Sequence, residues 1–97
     1  MQGGAPYART IQESELVSKR IDEAVKREPN LHDLYEYGIK WKIARHPDAG
    51  TKVPDSEYYI AKTFFWRPGG VPSITVLYKF DDQYVYIESS KIDWPKK

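Results

Sequence analysis

From about Glu13 to Glu28 the apolar side chains Val17, Ile21, Ala24 and Val25 recur at spacings of three and four, one stripe of an amphipathic helix. Pro29 stops it. Glu15 and Lys19, Asp22 and Lys26, and Glu23 and Arg27 stand four apart with the acid first, the arrangement that stabilises a solvated helix face. Asn30 then reads as an N-cap with Asp33 in the first turn, and a second helix follows to His46-Pro47. It carries Leu31, Leu34, Tyr35, Gly38, Ile39, Trp41 and Ile43, and positions 31, 35, 39 and 43 keep a step of four. So short a join predicts an antiparallel helical hairpin.

The remainder reads as strands. Tyr7 to Ile11 forms a short first strand with Tyr7 and Ile11 on one face, and the stretch 48–55 is a loop. Glu57 to Trp66 is rich in aromatic residues that suit a pleated surface, and Pro68-Gly69-Gly70-Val71-Pro72 turns the chain. Ser73 to Phe80 alternates, with Ile74, Val76, Tyr78 and Phe80 opposed to Thr75, Leu77 and Lys79. A two-residue turn at Asp81-Asp82 would pair Phe80 with Gln83, Tyr78 with Val85 and Val76 with Ile87, keeping the aliphatic residues of both strands on one face. The expected fold is α+β: an N-terminal strand, a two-helix hairpin and a three-stranded antiparallel meander, forming one sheet packed on the helices. Residues 1–6 are a disordered end, 7–94 a single domain and 95–97 a tail.

Charge and composition narrow the chemistry. Fifteen Lys and Arg against fourteen Asp and Glu leave +1, spread over both halves, which excludes a strongly cationic nucleic-acid coat. With no Cys and only His32 and His46, neither a thiolate nucleophile nor a structural zinc site is expected, and no cofactor is implied. No signal peptide or membrane-length apolar run is present, so a cytoplasmic protein without membrane attachment is expected. Gly69-Gly70 lacks the Lys and Ser or Thr of a phosphate loop, and Ser89-Ser90-Lys91 lacks a partner base.

Two clusters remain as candidate sites. Lys40, Lys42, Arg45 and His46 crowd the end of the second helix, where the macrodipole stabilises cations and where they could also meet phosphates. The outer sheet face shows Thr75, Leu77, Lys79, Tyr84, Tyr86 and Glu88. Tyrosines beside a cation suit stacked bases, a docked protein segment, or plain structural packing.

The order strand, helical hairpin, antiparallel strands resembles the RelE/ParE toxin superfamily of bacterial type II toxin–antitoxin pairs over about residues 7–92. Trp41-Lys42-Ile43-Ala44-Arg45-His46-Pro47-Asp48-Ala49-Gly50 and Ile74-Thr75-Val76-Leu77-Tyr78-Lys79-Phe80-Asp81-Asp82-Gln83-Tyr84-Val85 are similar to stretches of that family. The resemblance implies a toxin that binds a macromolecular target and is neutralised by a cognate antitoxin. Its alternatives are a ribosome-dependent endoribonuclease acting on mRNA, a poison of DNA gyrase, or an interaction module with no toxin role. On the nuclease reading the resemblance implies catalytic cations at Lys62, Lys79 and Lys91. Target contacts would fall at Arg45, His46, Lys52, Arg67, Tyr84 and Tyr86. The chain departs from the family at Glu88, where an Arg is frequent, and at Trp94, whose indole cannot serve as general acid or base.

Overall fold

The structure, a computed structural model, describes residues 8–63 and 72–94. The expected strand start at Tyr7, the strand end at Phe64 to Trp66 and the turn from Pro68 to Val71 lie outside the described residues. Strand β1 (Thr10–Glu13) leads directly into helix α1 (Glu15–Arg27). Ser14 makes this junction: its Oγ accepts the Val17 N–H at 3.2 Å, and its own N–H donates to the Ile87 carbonyl at 3.1 Å. The helix therefore starts beyond Glu13, which belongs to the strand. Val17, Ile21 and Ala24 are buried, as their spacing requires, while Val25 packs at the core's margin.

The second helical rod spans 31–45 as α2 (Leu31–Asp33), a π-helical stretch (Leu34–Lys40) and α3 (Trp41–Arg45). Asn30 does not cap it. Its backbone is already helical and its side chain makes no capping bond, because the Leu31 and His32 N–H groups donate instead to the Glu28 and Pro29 carbonyls. The π stretch has a reason in the side chains. In an α-helix a four-residue step overshoots one turn by roughly 40°. The wider π winding undershoots, so alternating the two keeps Leu31, Tyr35, Ile39 and Ile43 in line. All four are buried at 0–2% exposure.

A 3₁₀ turn (Pro47–Ala49) leads to β2 (Thr51–Lys52), followed by β3 (Tyr59–Lys62), β4 (Ser73–Phe80) and β5 (Tyr84–Asp93). The sheet has five strands in the order β1-β5-β4-β3-β2. β2 through β5 pair antiparallel in chain order, and β1 lies parallel to β5. The expected loop at 48–55 thus contains an additional short edge strand. The described part of the expected strand at 57–66 narrows to Tyr59–Lys62, because Ser56 Oγ folds back onto the Val53 carbonyl and the Tyr58 N–H.

The β4–β5 register differs from expectation by two residues: Phe80 pairs with Val85, Lys79 with Tyr86 and Tyr78 with Ile87. The Asp81 carboxylate accepts the N–H groups of both Gln83 and Tyr84 at 2.8 Å and the Asp81 N–H donates to the Tyr84 carbonyl at 2.9 Å, which moves the turn one residue on, to Asp82-Gln83. A shift of two preserves the faces, so the inward set survives. Beyond Ile87 the register slips again, Leu77 meeting Ser89, and Glu88 becomes the extra residue of a bulge. Ser90 and Ile92 then turn inward in place of odd-numbered positions.

One face of the sheet packs on the helices through Ile74, Val76, Tyr78, Val85 and Ile87, each at 0–1% exposure. Arg20 donates to the Ser90 carbonyl at 2.7 Å and the Arg27 guanidinium lies 3.8 Å from the centre of the Trp94 ring, tying α1 to the end of β5. Tyr78 spans the core and donates its hydroxyl to the Pro47 carbonyl at 2.5 Å. A Cβ at Gly50 would collide with that phenol and stand 2.8 Å from the Ile60 carbonyl oxygen, so glycine is required by close approach. Among the described residues no helix is long and apolar enough to cross a membrane, and no cluster of metal-binding side chains forms.

Two substitutions test this core. Ile87→Ala should lower unfolding stability by roughly 2 to 5 kcal/mol, and Gly50→Ala by about 1 to 3 kcal/mol through overpacking against Tyr78. Urea denaturation followed by circular dichroism reads both, and unchanged midpoints would contradict the packing.

Candidate functional site

The solvent face of the sheet is set by the alternation of β4. With Ile74, Val76 and Tyr78 inward, Thr75, Leu77 and Lys79 must point outward. Their cross-strand partners follow from the register. Lys62, Thr75 and Lys91 share one row, Ile60, Leu77 and Ser89 the next, and Lys79 stands opposite Tyr86. Gln12 and Thr10 of β1 extend the face beside Tyr86 and Tyr84.

Lys79 is the hub. Its Nζ lies 3.5 Å from Glu88 Oε2 and 4.0 Å from Glu57 Oε2, and stands 5.8 Å and 6.0 Å from the ring centres of Tyr58 and Tyr86. Tyr58 donates its hydroxyl to Glu88 Oε1 at 3.0 Å. Tyr86 donates to Asp81 Oδ2 at 3.1 Å, and the rings of Tyr84 and Tyr86 tilt together with centres 5.8 Å apart. The result is one connected surface from Tyr58 to Tyr84 in which one lysine is shared by two carboxylates and two phenols are bound to carboxylates.

The protonation of these groups follows from their neighbours. The Glu57 carboxylate, then that of Glu88, raises the Lys79 ammonium above its ordinary range. The hydrogen bond to Glu88 raises the Tyr58 phenol, and desolvation together with the bond to Asp81 raises that of Tyr86. The Gln83 and Tyr84 N–H groups hold the Asp81 carboxyl below the usual carboxylate range. Each shift moves its group further from neutrality. A general acid or base working near neutrality needs the opposite displacement.

The structure brings only some of the expected residues together. Lys62, Lys79 and Lys91 share the outer face, but Lys91 lies 3.6 Å from Asp93 and Lys79 is neutralised. Tyr84 and Tyr86 stand where the pattern predicts. Lys52 is separate: it pairs with Tyr59, whose ring stacks on buried Tyr78, and its Nζ donates to the Ser56 carbonyl. Arg45 and His46 end the helical rod on the other side of the sheet, Arg45 stacking on Trp41 at 4.4 Å. Arg67 lies outside the described residues. Tyr58, Glu57 and Asp81 were not legible as site residues. For Tyr58 and Glu57 the signal is the phase of β3 against β4, fixed only by pairing. For Asp81 it is the tendency of an aspartate before a turn to accept the following N–H groups.

The chain matches no protein-family model, no curated protein and no solved structure.

Acid should expose the role of Asp81. Its folded-state pKa lies below the unfolded one, so its stabilisation is complete above the ordinary aspartate value of about 4 and is lost as pH falls through the lowered value. Denaturation midpoints measured from neutral pH into acid should fall more steeply for the native chain than for Asp81→Asn. Parallel curves would remove Asp81 from the turn's energetics.

Proposed function

We propose that this chain is the toxin-like member of a bacterial toxin–antitoxin pair, and that it acts by binding, with a segment of its antitoxin lying over the tyrosine-bearing sheet face. The family assignment rests on the resemblance in element order and in the two quoted stretches. The binding role rests on one observation: Lys79, the central cation of the face, is held between Glu57 and Glu88. A scissile phosphate arriving there would meet two carboxylates, and like charges at this range are repulsive even when partly screened. Half-buried surface tyrosines, the hydroxyls of Tyr58 and Tyr86 already bound, are by contrast favourable at protein interfaces.

A ribosome-dependent endoribonuclease is the second reading. The row Lys62, Thr75, Lys91 favours it, since that row supplies two cations on the same face as Lys79.

Expression with and without the neighbouring gene product tests the proposal. The chain alone should arrest growth, and coexpression should relieve the arrest. Tyr84→Ser with Tyr86→Ser should weaken the purified complex by about 2 kcal/mol or more while leaving the chain folded. In a translating extract the native chain should leave mRNA uncut. Cleavage abolished by Lys62→Ala or Lys79→Ala would replace the binding reading with the nuclease one.

A further inference from the structure

A groove of about 350 Å³ opens between the π-helical stretch and the β2–β3 edge, away from Tyr84 and Tyr86. Ile39, Ile43 and Ala61 contribute apolar lining, and Ile60, Lys42 and Lys62 also border it. Its charge is one-sided. No carboxylate lines it, and neither lysine has an ion-pair partner among the described residues. The groove beside α1 and the end of β5 contains Glu23, and the one beneath the helical hairpin contains Glu13, Asp22 and Glu36.

Two further features converge on the same place. Of the four exposed large apolar side chains among the described residues, Ile60 lines the groove. Among the described residues the sheet edge is also open here. β2 pairs only with Tyr59 and Ile60, leaving no strand beside Ala61 and Lys62 among the described residues. An open edge offers backbone hydrogen bonds, the exposed Ile60 offers apolar contact, and the lysines select the sign of the incoming charge.

We infer that this groove is a second docking site, taking a short extended segment of a partner protein that carries carboxylates beside a large apolar side chain. The apolar side chain packs against Ile60, the exposed apolar residue of the lining, and the carboxylates reach Lys42 and Lys62. Ile60 and Lys62 belong to the outer face of the sheet, but the site lies at the β3 edge, two strands from Tyr84 and Tyr86, and does not depend on a toxin role.

The test selects ligands from a random peptide library displayed on phage against the full chain, then measures synthetic copies of the enriched peptides by fluorescence polarisation. Enriched peptides should combine Asp or Glu with Leu, Phe or Trp. The Lys42→Glu, Lys62→Glu double variant, checked for folding by circular dichroism, should bind them about tenfold more weakly or worse, equivalent to roughly 1.4 kcal/mol. Exchanging the peptide carboxylates for lysines should restore binding to that variant. Failure to enrich any peptide, enrichment of peptides without acids, indifference to charge reversal, or loss of binding in Tyr84→Ser with Tyr86→Ser would each overturn the proposal. So would a dimer in sedimentation that the lysine reversals abolish, since the groove would then hold a second copy of this chain.

Discussion

The pairing of β4 with β5 is the constraint on which the other features depend. Side chains on a strand alternate faces, so inserting one residue sends everything after it to the opposite side. β5 makes that insertion at Glu88. Before the bulge Val85 and Ile87 enter the core; after it Ser90 and Ile92 occupy the inward positions. The bulge lets one long strand serve the core along its length, and it leaves Glu88 on the solvent face, where its carboxylate meets Lys79 and Tyr58. The same irregularity that completes the core supplies the acid that neutralises the exposed lysine.

The helical layer answers the sheet with a winding change. Four buried side chains at steps of four demand a helix between α and π geometry, and the π stretch from Leu34 to Lys40 provides it. Within it Tyr35 reaches across to donate its hydroxyl to the Glu13 carboxylate, which Lys40 also approaches at 3.8 Å. Burial and this carboxylate raise the Tyr35 phenol far above its ordinary pKa, so it remains a donor. β1 is thereby fixed to the helices from within, as Ser14 fixes it to β5. The π stretch also carries Gly38 and Ile39 to the wall of the cationic groove.

Two surfaces of different electrostatic character result. On the tyrosine face lysine and carboxylates are matched, and the resolved shifts hold the groups in single protonation states at neutral pH. At the β2–β3 edge Lys42 and Lys62 stand without matching acids among the described residues, beside the exposed Ile60. The first is suited to a partner with a largely uncharged contact surface, the second to an acidic one. A near-zero net charge conceals this difference, because net charge sums over positions that only the fold separates.

Local pattern determined the elements whose periodicity exceeds their irregularities. The stripe from Val17 to Ala24, the step of four from Leu31 to Ile43 and the alternation from Ile74 to Tyr78 each name their buried residues, because burial of one face is what the period encodes. That same logic placed Lys79, Tyr84 and Tyr86 on the outer face. Tertiary structure alone decided the two-residue offset after Phe80, since a shift of two leaves every face unchanged and hydrophobic pattern is blind to it. It also decided the parallel docking of β1, the bulge at Glu88 and the meeting of Glu57 and Tyr58 with Lys79. These depend on hydrogen bonds between distant segments, whose geometry is absent from any single window of sequence.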